Sequence, residues 1–340
     1  MKKVAILLLI GSILSCTDKI KGLSDFKSDF YELQAKSIHL NDELEVQFLQ
    51  NQDKIDSVSL ILNGKPMKNK EVIHSENAVL GINELEIYVY LQDKHIYGKT
   101  QIGILSPERE TAVDYQLINE YPHFQELFTQ GFFFHDNKIY ESSGQYGKSK
   151  LVAYALGSSQ FIKETKQEPN VFSEGATLFQ NKIYQLTFRE RKIFVYDATS
   201  LELIKTLEMP SQLKEGWGMT SSEDELILSD GTQNIFFFDE NLNYKRRIQV
   251  TGNVSIYNNI NEMEYINGKI FANVWQTPYI LIIDPKTGRV EHYYDLNSLN
   301  ESRGSDDVLN GIALYGNTIL VTGKNWRKIY ELTLPEIEKE

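Results

Sequence analysis

The sequence predicts an all-β protein, a five-bladed β-propeller preceded by a small β-sandwich of immunoglobulin-like type, and three observations carry that prediction. The first is a repeat. A polar or glycine step followed nine residues later by a short apolar strand occurs five times in the last two-thirds of the 340 residues. The copies are Gln130-Gly131 to Ile139-Tyr140-Glu141, Glu174-Gly175 to Ile183-Tyr184-Gln185, Gly216-Trp217-Gly218 to Leu226-Ile227-Leu228, Asn261-Glu262 to Ile270-Phe271-Ala272, and Asn310-Gly311 to Ile319-Leu320-Val321. Their anchors, 131, 175, 218, 262 and 311, stand 44, 43, 44 and 49 residues apart. A period in the forties filled with short alternating strands corresponds to one propeller blade of about four strands. The second observation is a separate group of alternating runs ahead of the repeats, at 44–48, 58–62, 85–91 and 98–104, divided by turn signals such as Asn63-Gly64. The third is turn chemistry: Asp136-Asn137, Asn267-Gly268 and Gly316-Asn317 each separate apolar strands where a hairpin needs residues tolerant of positive φ.

Taken in order, residues 1–16 have the layout of a targeting segment. Met1-Lys2-Lys3 is positive, 4–10 is apolar, and Ile13-Leu14-Ser15-Cys16 puts a cysteine after a small residue. The pattern resembles a bacterial lipoprotein signal with its lipobox, so Cys16 is the expected lipidation site. The membrane would then be met through a lipid anchor only. An apolar run this short falls below the roughly 20 residues of an ordinary spanning helix. The competing reading, a secretory peptide with an incidental cysteine, also places the chain in the bacterial cell envelope, periplasmic or surface-facing. Cys16 is the only cysteine, which rules out an intrachain disulfide and a thiol nucleophile in the fold. Residues 17–29 are polar and aperiodic and read as a tether; 30–106 form the β-sandwich; proline and charge at 106–110 mark a hinge; 112–335 form the propeller. The segment 113–118 precedes the first full repeat and is free to pair with the last blade, closing the ring without an open edge.

Composition narrows the function classes. With 41% hydrophobic residues the chain can bury a substantial core. Its net charge of −12, which becomes −14 if Lys2 and Lys3 are removed, opposes nucleic-acid binding. The longest basic run, Tyr244-Lys245-Arg246-Arg247, reads as a solvated strand face. The six histidines show no His-x-His or His-x-x-x-His spacing, and neither a Gly-x-Ser-x-Gly elbow nor a phosphate loop occurs, so no metal and no cofactor is expected. An oxygen-ligand cation site from Asn258, Asn259, Asn261 and Glu262 is the alternative to asparagine-rich turn chemistry.

In a propeller the inner strands converge on the axis, so the repeated steps bring together residues distant in sequence. They offer Phe128, Thr129 and Gln130; Phe172 and Glu174; Glu215 and Trp217; Asn261 and Glu262; and Asn310, with Trp275 and Lys324 added by the strands that follow. All three tryptophans, Trp217, Trp275 and Trp326, fall in these motifs, as expected of a small aromatic pocket. Each residue also has a structural reading: tryptophan as blade core, a carboxylate before glycine as a partner for turn N–H groups, and Lys324 as solvated.

The motifs Phe128-Thr129-Gln130-Gly131, Glu174-Gly175, Gln185-Leu186-Thr187, Glu215-Gly216-Trp217-Gly218, Ser229-Asp230-Gly231, Asn261-Glu262-Met263-Glu264-Tyr265, Asn273-Val274-Trp275, Leu309-Asn310-Gly311 and Val321-Thr322-Gly323-Lys324 together resemble the plant and bacterial glutaminyl-peptide cyclotransferases. The resemblance covers about 112–333 and implies a five-bladed propeller that converts N-terminal glutamine of peptides or proteins to pyroglutamate with release of ammonia, without a metal. It implies Glu174 as acid/base, Gln130, Asn261 and Lys324 as polar site residues, and Phe128, Phe172, Trp217 and Trp275 as walls. Two positions depart from the family pattern. Pro122-His123-Phe124-Gln125 stands where Pro-His-Asp-Pro is frequent, and Phe188 where a tryptophan is usual, which keeps an aromatic wall but loses its N–H donor. Lys324, Asn261 and Gln130 are all candidates for stabilising the oxyanion. Two other classes stay open: a non-catalytic propeller that binds peptide or glycan ends, and a metal-dependent lactone hydrolase.

Overall fold

The computed structural model describes residues 3–5, 38–48, 51–299, 301 and 304–335. Cys16 and the 17–29 tether lie outside them. Two compact units result, one formed by 1–109 together with 251–256, the other by 110–250 and 257–340.

In the first unit a five-stranded sheet has the spatial order Ile38–His39, Lys94–Leu105, Gly81–Leu91, Ser57–Leu62, Lys65–Lys68. A second, three-stranded sheet pairs Lys3–Ala5, Glu43–Glu45 and Glu71–Val72. Strict alternation in Gly81–Leu91 buries Leu85, Ile87 and Val89 on one face, where they share a core with Leu44, Val46 and Ile73. The long strand is four residues longer at its start than the alternating run 85–91 indicates.

The second unit contains five sheets, here I to V, each built on four antiparallel strands, with a short fifth strand on sheet IV. Sheet I is Thr129–His135, Lys138–Ser143, Lys150–Tyr154, Lys163–Lys166; sheet II is Ser173–Phe179, Lys182–Thr187, Lys192–Asp197, Leu203–Glu208. Sheet III is Met219–Ser221, Leu226–Ser229, Asn234–Phe238, Tyr244–Gln249; sheet IV is Ile260–Ile266, Lys269–Val274, Tyr279–Ile283, Val290–Asp295. Sheet V joins Leu309–Tyr315, Thr318–Gly323 and Lys328–Thr333 to Leu117–Pro122 from the beginning of the unit.

The first strand of each sheet packs against the first strand of the next, and that of sheet V returns to sheet I. Five apolar cores fill the five gaps. Phe133 and Leu151 meet Ala176 and Ile183 between I and II; Leu186 and Val195 meet Leu228 and Phe236 between II and III; Phe237 meets Met263 and Ile270 between III and IV; Phe271 meets Ile312 and Trp326 between IV and V; Phe132 and Val152 meet Ala313 and Leu320 between V and I. Strands buried on both faces therefore read as continuous apolar runs such as Ile280-Leu281-Ile282-Ile283, all at most 1% exposed.

The glycines of the repeat explain themselves here. A Cβ on Gly175 would lie 2.4 Å from the Met219 backbone nitrogen, and one on Gly218 1.8 Å from the Asn261 carbonyl oxygen. Innermost strands of successive sheets thus approach backbone to backbone, which only glycine permits.

The closing strand differs in position from the sequence expectation. Thr111–Ala112 adds in parallel to the outer edge of sheet IV, and the Val113 N–H continues that contact to the Tyr293 carbonyl. Pairing with sheet V begins only at Leu117, so 113–118 is mostly the crossing between two sheets. Of the expected hairpin pairs, Asp136-Asn137 and Asn267-Gly268 have positive φ at both residues, whereas only Gly316 does at the third.

Candidate active site

Four sheets share a local irregularity at the start of the innermost strand. Pairing with the second strand slips between Thr129 and Gly131, between Ser173 and Ala176, between Ile260 and Met263, and between Leu309 and Ile312. These bulges hold Gln130, Glu174-Gly175, Asn261-Glu262 and Asn310-Gly311, the polar steps of the repeat. A bulge frees a residue from the ladder and re-aims its side chain, so each step turns a polar group out of strand alternation at the same end of its sheet.

A second regularity positions the walls. The carbonyls of Phe128, Phe172, Asn259 and Val308 accept the N–H groups of Gly144, Phe188, Trp275 and Lys324 at 2.9 Å. In each case the partner lies sixteen residues on, just after the second strand. Phe188, Trp275 and Lys324 are therefore equivalent positions on sheets II, IV and V. On sheet I the place belongs to Gly144, where a Cβ would sit 2.5 Å from Phe172 Cε1. Gly231 plays the same part on sheet III, where a Cβ would sit 2.3 Å from the Trp217 indole.

The aromatic side chains form two groups. Phe172 meets Phe128 edge-on at 6.2 Å, Phe188 at 5.8 Å and Tyr146 at 5.3 Å between ring centroids. Trp217 and Trp275 cross perpendicularly at 5.8 Å. Lys324 Nζ lies 4.9 Å from the centre of the Phe128 ring, a cation–π contact.

Glu174 is 5% exposed and Lys324 4%. Burial holds the Glu174 carboxyl well above the ordinary carboxylate range, against the pull of Lys324, with Glu215 and Glu190 adding to the rise. Burial likewise brings Lys324 down to about 8, opposed by Glu174 and Asp306. Each charge is costly alone and each tempers the other. Such a mutually biased acid and base beside apolar rings is a common form of catalytic site.

Several expected residues serve structure instead. Trp326 is 1% exposed, packs between sheets IV and V, and donates its indole N–H to the Asp307 carbonyl, so it leaves the pocket group. Thr129 gives its hydroxyl to Glu141 and Gly323. Glu262 accepts the N–H groups of Phe132 at 3.3 Å and Ile312 at 2.9 Å, tying sheets I, IV and V. Both Glu262 oxygens are thereby engaged by backbone N–H groups of neighbouring sheets. Among the described residues no group of three or more histidine, cysteine or acidic side chains is gathered at metal-binding distance.

Two features escape sequence reasoning. At the rim, Arg189 pairs with Glu215 at 2.7 Å and covers the Phe188 ring at 4.6 Å, while Glu215 accepts the Trp217 indole N–H at 3.3 Å. The pair thereby couples aromatic walls on sheets II and III. In the interior, Glu141 accepts from Thr129 Oγ1 and the Tyr154 hydroxyl, both at 2.7 Å, and pairs with His123 at 3.1 Å. His123 belongs to the Pro122-His123 pair just ahead of the Phe124-Gln125 departure, and its other ring nitrogen contacts the Trp326 carbonyl. A lone glutamate within the apolar Ile139-Tyr140-Glu141 strand was the available signal.

Comparison with known proteins decides the family. The glutamine cyclotransferase family model matches residues 95–334. The chain belongs to that family. It is 33% identical over 233 residues to the glutaminyl-peptide cyclotransferase of Arabidopsis thaliana, covering 65% of this chain and 71% of that one. The crystal structure of Myxococcus xanthus glutaminyl cyclase superposes with a TM-score of 0.60 at 30% identity, covering 68% of this chain and all of the other. The glutamine cyclotransferase match includes every sheet of the second unit and leaves 1–94 outside it.

Proposed function

We propose that this protein is a glutaminyl-peptide cyclotransferase acting on peptides or proteins with N-terminal glutamine, on a five-bladed propeller at 112–335 that follows a β-sandwich at 30–106. The observation that carries the reading is Glu174: a nearly buried carboxyl in a bulge, electrostatically coupled to Lys324, whose ammonium lies over the Phe128 ring.

The reaction needs little beyond geometry and one mobile proton. Aromatic walls fold the glutamine side chain back and convert free rotations into a near-attack arrangement. The α-amine, with an ordinary pKa near 7.7–8.0, is partly neutral at physiological pH. Its nitrogen attacks the γ-carboxamide carbon, a C–N bond forms, and the carbonyl oxygen takes the electron pair. Glu174, carrying a proton because burial favours its neutral form, gives it to the amide nitrogen. It then recovers one from the attacking nitrogen. The original C–N bond breaks, ammonia leaves and the lactam carbonyl reforms. Lys324, cationic below about pH 8, opposes the charge on the oxygen. Phe128, Phe172, Phe188, Trp217 and Trp275 bind the substrate, and Asn261, whose Oδ1 is sealed in without a partner, completes the polar side of the site. No metal is required by this scheme.

A diacylglyceryl anchor on Cys16 and a location in the cell envelope belong to the same reading and rest on the layout of residues 1–16. The test is ammonia release with mass spectrometry of the product, from a Gln-initiated peptide and protein lacking 1–16, with and without EDTA. Cyclisation that survives EDTA is expected; folded protein that binds the peptide without cyclising it overturns the enzyme reading in favour of a binding propeller.

A further inference from the structure

Asn310 occupies the bulge of sheet V, is fully buried, and reaches back to sheet I. Its Nδ2 donates to the Thr129 carbonyl at 2.8 Å and to Gln130 Oε1 at 3.1 Å. The orientation of both amides follows from the first contact. A backbone carbonyl only accepts, so the Asn310 atom facing Thr129 is the nitrogen. That nitrogen has its second hydrogen left for Gln130, which must present oxygen in return. Side-chain amides are otherwise ambiguous between their two ends; here the backbone removes the ambiguity. The Gln130 Nε2 consequently points away from Asn310, donates to no described residue, and is not sealed from solvent. The Gln130 chain lies in the aromatic wall, since a Cβ on Gly144 would touch both Phe172 Cε1 and Gln130 Cγ.

We infer that Asn310 is a positioning residue that locks Gln130 with its amide N–H₂ toward the substrate, making Gln130 a donor to the γ-carbonyl oxygen as it becomes an oxyanion. This rests on the cyclotransferase reading. It also gives that oxygen two different donors, a neutral amide fixed by hydrogen bonds and the Lys324 cation. Removing one such donor elsewhere costs about 10²–10³-fold in kcat, and the loss appears in kcat because the charge exists only in the transition state.

The test is kinetic, on protein lacking 1–16 and a Gln-initiated peptide, with Q130M, Q130E, N310A and the Q130M/N310A pair, each checked for its unfolding midpoint. Q130M is expected to lower kcat about 100-fold with KM within about threefold. Q130E keeps an oxygen for Asn310 but puts an acceptor where the donor was, so it is expected to lose at least as much. N310A is expected to lose tenfold or more, and the double variant no more than Q130M alone, because both changes remove one device. Q130E near wild-type activity while Q130M is impaired would make Gln130 an acceptor and overturn the assignment. Additive losses in the double variant would also overturn it, leaving Asn310 a purely structural residue. Should N310A fail to fold, the contrast of Q130E with Q130M decides alone. Wild-type protein that releases no ammonia removes the cyclotransferase reading and this assignment with it; active wild type with either contrary result removes only the assignment.

Discussion

Two buried glutamates in neighbouring sheets have opposite surroundings. Glu141, in sheet I, is fully buried and surrounded by donors: Thr129, Tyr154 and His123 all reach its carboxylate. Glu174, in the bulge of sheet II, is almost as buried, yet its carboxylate makes no hydrogen bond to any described residue. A buried carboxylate that is fully satisfied holds a fold in one arrangement, while one left unsatisfied keeps its hydrogen-bonding capacity for a ligand. The difference separates scaffold from chemistry more sharply than burial does.

Substitutions at the two residues should therefore divide activity from stability. For E174Q we expect the larger effect, a loss of about 10²–10⁴-fold in kcat, the range for removing a general acid/base, with an unfolding midpoint equal to or above that of the wild type. Activity within tenfold of wild type would take Glu174 out of the mechanism. E141Q takes away the carboxylate that keeps His123 charged and that accepts from Thr129 and Tyr154, and breaking a buried pair typically costs 3–5 kcal/mol. At roughly 2–4 °C per kcal/mol for a unit of this size, its midpoint should fall by about 10 °C, with activity per folded molecule kept. Burial disfavours the His123 cation, but Glu141 outweighs it and raises the imidazole above its usual range. The stability it contributes is complete below about pH 6.5 and fades as pH rises through the raised folded value. Denaturant titrations from pH 5.5 to 9 should show that decline in wild type and a flatter profile in E141Q.

The Lys324 side of the site can be tested by pH. Its ammonium, brought down to about 8, is lost above that pH, so kcat at saturating peptide should fall on the alkaline side with an apparent pKa near 8. In K324R, slower overall, the fall should move at least one unit upward, because guanidinium stays charged. An unmoved limb would assign the titration elsewhere. The smallest effect belongs to the wall: F188W keeps an aromatic face, adds an indole N–H and should alter KM by no more than about threefold with kcat unchanged.

The repeat spacing made the five sheets legible because sheets I, II and III use glycine, Gly131, Gly175 and Gly218, where innermost strands touch backbone to backbone, and the other two keep the same spacing of polar step and apolar strand. The walls were legible for a similar reason, since Phe188, Trp275 and Lys324 recur at one position of the repeat. What the sequence concealed was which polar steps face a ligand. Gln130, Glu174, Glu262 and Asn310 look alike as polar residues of the repeated step, and only the partners supplied by other sheets tell them apart. Glu262 takes N–H groups from sheets I and V, and Asn310 takes up sheet I. Trp326 matched a pocket motif but turned into the gap between sheets IV and V. The closing strand was misplaced by four residues because Thr111–Ala112 is first engaged at the edge of sheet IV.

That closing strand has a consequence for how the chain matures. Leu117–Pro122 pairs with Lys328–Thr333, residues more than 200 positions later, and contacts so distant in sequence form slowly. While the polypeptide emerges from the ribosome, sheet V lacks its partner until almost the last residue has appeared. Earlier sheets can stack as they arrive, but the circle is latched only by a finished molecule. A product stopped short of residue 328 would carry an unpaired strand at each end and be a substrate for proteases.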